Sequence, residues 1–516
     1  MDRLTRFAGF VLLMLAPAAA RADWRAVETA HFIIYTRGDD RNVERLATRL
    51  ETIDGLMRMA SAISDRVEPV KVRIYEVDSD GDVEKALGLT NSGVAGFYNS
   101  NMLGPFAVTP HSTSFHDGIF TPELVLHHEY AHHFMLQYFP AIYPDWYVEG
   151  YAELIGSSRI QPDGKVGYGM PAKHRGNEIA AYWVPLQDLL LKPPEKVRDF
   201  DTYGQGWAMT HFFTFSKAHA AQLRAYLGAL RAGRSPAEAA KAFGDLRQID
   251  REARNYVLGG VFDYRLVSVP IARPVIQAVH PVGAAEGDLV PEVIAFRDDE
   301  LSTYRKQGNR DQERHLREAN LDHIRAKARR YPNDPFALSF LALAEYAGGN
   351  YAQSEAAADR LLAIDPNHVR GLVIKSLGMA RTAAALSGPA RAARAQEALQ
   401  LALKANRGDP NDPLPFLAVY QSYHLAGLTP PKSAVDALAD AGTTLPADTQ
   451  IRQLLVDEFA AEKKWALAIK TLMPIANDPH ESPRRTAGRE QMAKLLAELA
   501  KEQGQQASAQ PAASGS

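Results

Sequence analysis

The chain has 516 residues, of which 46% are hydrophobic and 23% are charged, and its formal net charge is -3. These proportions predict a folded chain of roughly two to four domains, and the balanced charge excludes a strongly basic nucleic-acid-binding protein. The absence of cysteine excludes disulfides, thiolate metal sites and cysteine nucleophiles. Any metal or covalent chemistry must therefore use other side chains, such as histidine and the carboxylates.

Residues 1–22 have the pattern of a secretion signal. Two arginines precede an apolar run that ends in Ala20-Arg21-Ala22, a small-x-small cleavage pattern. The run is short and contains Pro17, which favours a cleaved signal over a membrane anchor. We therefore predict an exported protein with no stable membrane insertion. The lack of cysteine favours the bacterial periplasm, because large secreted eukaryotic domains commonly contain disulfides.

The region 23–266 alternates between strand and helix patterns, which predicts an α+β domain. The predicted elements, in chain order, are a strand at 29–36, a helix at 42–60, a strand at 70–77, an edge strand or loop at 93–109, two helices within 121–156 and several helices within 203–258. Residues 267–309 are interrupted by prolines. We interpret them as a connector with one short strand at its start, and we expect it to pack along both halves because its apolar residues are unlike those of a flexible tether.

The region 310–500 is rich in alanine, leucine and charged residues with helical periodicity. Prolines punctuate it at positions 332, 366, 410, 446 and 479. A period near 34 residues is typical of tetratricopeptide repeats, so we predict an all-α superhelix, with a generic helical bundle as the alternative. Residues 388–394 are an insert in the longer third unit, and the Gln/Ala/Ser/Gly-rich tail at 501–516 is predicted to be disordered.

One stretch of the first half matches the pattern H-E-x-x-H, with His128, Glu129 and His132. Residues four apart share a face of a helix, so both imidazoles can reach one metal ion while Glu129 lies beside them. A helix is expected there independently, because Thr121 can cap it and Pro122 suits its first turn.

A second acidic pair follows in the segment W-Y-V-E-G-Y-A-E, where Glu149 and Glu153 are also four residues apart. A catalytic zinc ion needs three protein ligands and an open position, and two histidines with one glutamate are a standard set. We therefore predict one zinc ion per chain, bound by His128, His132 and Glu149. Glu153 lies one turn later, where it can accept the spare ring proton of a ligand histidine.

H-E-x-x-H followed by W-x-x-E-G-x-A-E resembles the gluzincin metallopeptidases, specifically the "peptidase MA-like" families of bacterial exported proteins. The resemblance covers roughly residues 25–265, including the Tyr203-Gly204-Gln205-Gly206-Trp207 segment. It implies the zinc ligands named above, with Glu129 as the general base. It also implies a small twisted sheet packed on the motif helix, with an edge strand that holds an extended substrate. The interval between His132 and Glu149 is shorter than in the best-known members, which leaves less room for intervening helices.

In such a site, Glu129 takes a proton from the attacking water and passes it to the leaving amine. The oxyanion needs a further donor, for which Tyr203, Tyr151 and His211 are candidates; we favour Tyr203. No nucleophile elbow and no phosphate-binding loop occurs in the sequence.

These patterns predict a gluzincin-like zinc peptidase domain followed by helical repeats that recruit a protein partner or a peptide or protein substrate. The alternative is a non-catalytic envelope scaffold, in which the repeats carry the function and the zinc fold is vestigial or purely structural.

Overall fold

The computed structural model of the chain describes residues 24–64, 68–112, 119–139, 143–191, 199–232, 234–270, 278–297, 310–476, 478 and 483–509. The predicted signal at 1–22 lies outside these residues, so its prediction stays untested. Among the described residues, no helix combines the length and apolar character that crossing a membrane requires.

Two sheets lie in the first half of the described chain. Their strands are β1 (Arg25–Glu28), β2 (Phe32–Thr36), β3 (Val72–Ser79), β4 (Phe97–Asn101), β5 (Gly104–Ser112), β6 (Arg159–Ile160), β7 (Val166–Tyr168), β8 (Arg265–Val267) and β9 (His280–Pro281). The larger sheet has the order β4-β5-β3-β2-β1-β9, in which β2, β3 and β5 are parallel and the other neighbours are antiparallel. The smaller sheet is antiparallel, in the order β6-β7-β8.

Helices make up most of the rest of the first half. They are α1 (Asp40–Ser61), α2 (Asp80–Ala86), α3 (Pro122–Tyr138), α4 (Asp145–Gly156), α5 (Gly176–Ala181), α6 (Leu186–Leu191), α7 (Asp199–Phe215), α8 (Ala220–Arg231), α9 (Pro236–Ala240) and α10 (Leu246–Leu258). As expected from the sequence, Thr121 caps α3 by accepting a hydrogen bond from the backbone N–H of Leu124, and Pro122 is its first residue. The caps therefore set the start of the motif helix.

Most predicted elements of this half are confirmed, with changes at their ends. The strands predicted at 29–36 and 70–77 are β2 and β3, and the helix predicted at 42–60 is α1. The prediction of an edge strand or loop at 93–109 describes β4 but is wrong for β5, an interior strand. The sequence analysis missed β1, because a four-residue strand is too short to show a clear alternation.

The large sheet is covered on both faces, and the side chains along its strands point alternately to one face and the other. Phe32 and Ile34 of β2 face a core built with α1 and α3, whereas Tyr35 belongs to the core on the opposite side. That second core continues through α2 into the helical half, where it includes Phe340. One hydrophobic core thus joins the sheet to the repeats.

The predicted connector, 267–309, needs correction, because it contains a strand of the large sheet and a helix that packs on both halves. Strand β9 extends the large sheet, and α11 (Ala284–Ile294) packs on α2, with Gly287 against the Trp24 ring. The prolines misled the sequence analysis, since Pro291 lies inside α11. Burial of neighbouring apolar residues in the shared core outweighs the cost of that proline. Residues 271–277 and 298–309 lie outside the described part.

The second half consists of helices that pack against their neighbours in chain order. They are α12 (Arg310–Ala328), α13 (Pro335–Ala347), α14 (Tyr351–Ile364), α15 (Val369–Ala383), α16 (Gly388–Gly408), α17 (Pro413–His424), α18 (Lys432–Thr444), α19 (Thr449–Ala461), α20 (Trp465–Ala476) and α21 (Pro483–Ala509). The punctuating prolines precede successive helix pairs from α13 to α20, which confirms the helical-repeat half. At one crossing, the fully buried Ser354 donates a hydrogen bond to the Ala342 carbonyl at 2.8 Å.

Two details of this half differ from a regular repeat. The insert at 388–394 forms the first turns of α16 and lengthens that helix. The prediction of a disordered tail at 501–516 is wrong up to Ala509, because α21 continues to that residue. Alanine and glutamine in the tail favour a helix once it has begun, so composition alone misjudged its end. Residues 510–516 lie outside the described part.

Polar contacts add to the shared core that holds the two halves together. Helix α11 contacts α2 as well as α12 and α13, so the part of the 267–300 region that forms this helix packs along both halves as expected. Near the motif helices, Gln137 at the end of α3 donates to the Thr444 carbonyl at 3.3 Å. Arg485 of α21 pairs with Asp145, the first residue of α4, at 3.2 Å. The repeats therefore contact both helices that bear the predicted metal ligands.

Candidate metal centre

Helices α3 and α4 bring the three predicted ligand side chains together in a buried cluster. His128 Nε2 lies 3.1 Å from His132 Nε2 and 3.3 Å from Glu149 Oε2, and the separation of His132 Nε2 and Glu149 Oε2 is 3.6 Å. Donor atoms bound tetrahedrally to zinc at its usual bond lengths are about 3.3 Å apart. The donor set and its spacing thus fit a zinc ion, and the site residues stay a prediction until metal is measured.

Glycines at three positions allow α4 to pack closely on its neighbours, two of them against α7 and one against α3. A Cβ added to Gly150 would lie 2.2 Å from the Gly206 carbonyl oxygen, and one added to Gly206 would lie 2.5 Å from the Trp146 carbonyl oxygen. Any larger residue at these two positions would therefore force α4 and α7 apart. Gly156, the last residue of α4, faces α3, where an added Cβ would lie 3.4 Å from the Cβ of His128.

Glu129, the predicted base, is buried on α3 beside the ligand histidines. The backbone that leads into the edge strand β4 passes over it at Gly96. A Cβ added to Gly96 would lie 2.3 Å from Val125 Cγ1 and 3.7 Å from Glu129 Cγ. Only glycine lets the chain pass so close to the motif helix, so the entry to the edge strand borders the predicted base.

Glu153 is fully buried, as a group that supports a ligand histidine should be. Its Oε1 lies 3.4 Å from His128 Nδ1 and 2.7 Å from Arg175 Nη2, and its Oε2 lies 2.6 Å from His174 Nε2. Burial opposes ionisation, but the charge of Arg175 and the hydrogen bonds of the two histidines hold the pKa of Glu153 well below its ordinary value. The sequence analysis missed His174 and Arg175, because no spacing links them to the motif.

The carboxylates of Glu149 and Glu153 change the pKa of His128. Burial lowers the pKa of its imidazole, but the hydrogen bonds to Glu149 and Glu153 outweigh burial and raise that pKa to about 10. A metal ion binds the neutral imidazole, so a zinc ion held at this cluster would have to displace this proton.

Of the three candidate oxyanion donors, the structure brings only Tyr203 to the cluster. Its ring is stacked on that of His128 at 6.1 Å between centroids. The charge of Glu149, together with burial, holds the pKa of Tyr203 well above its ordinary value, so the phenol stays protonated and able to donate.

The other two candidates are placed elsewhere. Tyr151 lies on α4 two residues from Glu149, on the opposite side of the helix, and its ring faces Tyr147 at 6.3 Å. His211 is fully buried and uses both ring nitrogens, with Nε2 at 2.7 Å from the Gly169 carbonyl and Nδ1 at 3.0 Å from the Tyr256 hydroxyl. Both therefore have packing roles.

The two histidines that flank the motif, His127 and His133, are not part of the donor cluster. Burial lowers the pKa of His127 and of His133 to about 3, so both rings are neutral at physiological pH. Nδ1 of His133 lies 3.0 Å from the Tyr98 hydroxyl of the edge strand β4. This contact fixes β4 on the motif helix.

A second buried group of potential ligands comprises His31, Glu51 and Asp54. His31 Nδ1 lies 2.7 Å from Glu51, and Arg58 Nε donates to Asp54 at 2.6 Å. Tyr130 of α3 also donates to Asp54, at 2.6 Å. Arg58 already supplies the positive charge, so this cluster fits a structural network that ties α1 to the motif helix.

Comparisons with solved structures match helical-repeat proteins. The chain is 20% identical to TTC0263, a thermophilic TPR protein of Thermus thermophilus, with 36% of this chain and 92% of that one covered and a TM-score of 0.31. It is 18% identical to MamA of Desulfovibrio magneticus RS-1, with 39% and 96% covered and a TM-score of 0.22. No protein-family model and no curated protein matches the sequence. The helical-repeat architecture stated above therefore rests on the packing of this chain's own helices.

Proposed function

We propose that this chain is a zinc-dependent peptidase of the gluzincin type, whose helical repeats recruit a protein partner or substrate. The observation that supports it is the cluster of His128, His132 and Glu149, whose donor atoms are 3.1 to 3.6 Å apart. A zinc ion held there would supply a Lewis acid and an activated water. Burial, this close spacing and two imidazoles distinguish the cluster from ordinary groups of carboxylates at a protein surface.

Two further side chains give this cluster the means for proton transfer and charge stabilisation. Glu129 is buried next to the ligands, where it can take a proton from the attacking water and deliver it to the leaving amine. Tyr203 keeps its hydroxyl proton, because the charges of Glu149 and Glu129 raise its pKa. A protonated phenol at this place can donate to the oxyanion that forms when water adds to a carbonyl.

The surroundings favour an extended polypeptide as the substrate. Strand β4 is the last strand in the order of the large sheet, as far as the described residues show, and the backbone that leads into it passes over Glu129 at Gly96. An extended peptide that lies along this side of the sheet would bring its own backbone to the cluster. The repeats contact the ends of α3 and α4, so a protein bound to the repeats would lie near the same cluster. We further propose that the protein acts after export, in the periplasm.

A matched pair of variants on α3 tests the peptidase proposal. Glu129→Gln removes the proposed base, and Glu123→Gln changes a half-exposed carboxylate in the first turn of the same helix. We expect about one zinc ion per chain in the wild type and in both variants. Release of fluorescent peptides from casein should fall by about 100-fold or more in Glu129→Gln and stay near the wild-type rate in Glu123→Gln.

Two results would contradict the proposal. Full activity of Glu129→Gln would exclude Glu129 as the base. A wild-type protein that holds no zinc and hydrolyses no peptide, yet still binds its partner through the repeats, would favour the alternative of a non-catalytic scaffold.

A further inference from the structure

Glu153 has no exposure to solvent, so its negative charge needs compensation inside the protein. The compensation comes from a short 3-10 turn, Lys173–Arg175, that precedes α5. His174 Nε2 approaches Oε2 at 2.6 Å, and Arg175 donates from Nη2 and Nε to Oε1 at 2.7 and 3.0 Å. The carboxylate is thereby held with Oε1 3.4 Å from His128 Nδ1.

Arg175 contacts a second group of the candidate centre. Its guanidinium carbon lies 4.6 Å from the centroid of the Tyr203 ring, a cation–π geometry. Tyr203 is in turn stacked on the ring of His128. One side chain thus touches two partners of a single ligand histidine, namely the carboxylate at its Nδ1 and the phenol on its ring face.

We propose that Arg175 is a positioning residue of the metal centre, which holds Glu153 against His128 Nδ1 and Tyr203 against the face of the same imidazole. Arginine suits both tasks, because its planar fork donates two hydrogen bonds to a carboxylate while its face stacks on an aromatic ring. Lysine can keep the charge beside Glu153 but cannot also stack on Tyr203. The role in turnover rests on the proposed peptidase function, whereas the effect on metal affinity does not.

Zinc affinity tests the first part of this proposal without any need for activity. We would titrate the purified full chain with Zn²⁺ against a competing chelator for Arg175→Gln, Arg175→Lys and Lys173→Gln. The last variant is a matched control, because Lys173 is an exposed cation in the same turn. Arg175→Gln should weaken zinc binding by about 10- to 100-fold, as loss of a group that supports a metal ligand does elsewhere.

The lysine variant separates positioning from general damage to the fold. Arg175→Lys should bind zinc within about threefold of the wild type, and Lys173→Gln should be unchanged. Unchanged zinc affinity in Arg175→Gln would overturn the proposal. Equal loss in Arg175→Lys and Arg175→Gln would also overturn it, because the retained charge would then have no effect on Glu153.

Turnover tests the contact with Tyr203 by a double-mutant cycle. Arg175→Lys should lower kcat by about tenfold with little change in KM. In a Tyr203→Phe background, the same substitution should lower kcat no further. If the two substitutions instead lower kcat independently, so that their effects multiply, the proposal that Arg175 positions Tyr203 is overturned. If zinc affinity follows the expected pattern but the wild type hydrolyses no peptide, the peptidase proposal fails and the positioning of Glu153 stands.

Discussion

Replacement of Gly150 by alanine tests whether the close contact between α4 and α7 places Glu149 at the candidate metal centre. The added methyl carbon would lie 2.2 Å from the Gly206 carbonyl oxygen and 2.4 Å from Thr210 Oγ1. An ordinary C···O contact is about 3.3 Å, so the helices must separate by roughly 1 Å. Glu149 is the preceding residue, and zinc–ligand distances tolerate only about 0.2 Å.

The expected magnitudes follow from that displacement. Overpacking of this kind costs about 1–3 kcal/mol, and alanine returns up to about 1 kcal/mol through its better helix propensity. We therefore expect a net loss of about 1–2 kcal/mol in the free energy of unfolding, measured without zinc. Zinc affinity should fall by at least about tenfold, because one of three ligands is displaced.

Gly228 provides the matched control for the change in helix propensity. It lies in α8, and a Cβ added there meets nothing within 4 Å. Gly228→Ala should therefore stabilise the protein by about 0.5–1 kcal/mol and leave zinc binding unchanged. Denaturant titration in the presence of a chelator can follow the fluorescence of the buried Trp146 and Trp207, which flank the glycine contact. Wild-type stability and wild-type zinc affinity in Gly150→Ala would refute the reasoning.

Three further predictions concern the buried polar contacts around the centre. Tyr130→Phe removes the hydroxyl that donates to Asp54 and should lower the free energy of unfolding by about 2 kcal/mol in a denaturant titration, whereas no loss would show that the bond is energetically neutral. Arg485→Met removes the ion pair with the mostly buried carboxylate of Asp145 and should lower the free energy of unfolding by about 2 kcal/mol; a thermal midpoint equal to that of the wild type would contradict this. Burial opposes protonation of His31, but its hydrogen bond to a glutamate and two nearby carboxylate charges raise its pKa above 6.5. Because the pKa of His31 is higher in the folded than in the unfolded state, protonation of His31 stabilises the fold at pH values below 6.5. This stabilisation is lost as the pH rises through the folded-state pKa. Stability should therefore decline above pH 6.5, and His31→Asn should flatten that decline in pH-dependent denaturant titrations.

Local patterns predicted the parts of this protein that depend on near neighbours in the chain. Thr121 and Pro122 mark the start of α3, and the four-residue spacing of His128 and His132 places both imidazoles on one helix face. The recurrence of prolines with a period near 34 residues predicted the helical repeats of the second half. These features follow from helix geometry and capping, which a few consecutive residues determine.

Other features depended on contacts between segments far apart in the chain. The close packing of α4 on α7 depends on Gly150 and Gly206, and the support of Glu153 comes from His174 and Arg175 in a turn with no motif of its own. The spacing of Glu149 and Glu153 identifies them as candidate acidic residues, but no sequence pattern marks the cations that compensate Glu153.

The prolines of the predicted connector were misleading, because they suggested that no helix forms there. Pro291 nevertheless lies within a helix. Helix α11 is retained by apolar burial in a core shared by the sheet and the repeats, which outweighs the local cost of its proline. Local propensities differ by about 1 kcal/mol or less for most residues, whereas full burial of one large apolar side chain contributes about 2 kcal/mol. Tertiary packing therefore decides the structure wherever the two conflict.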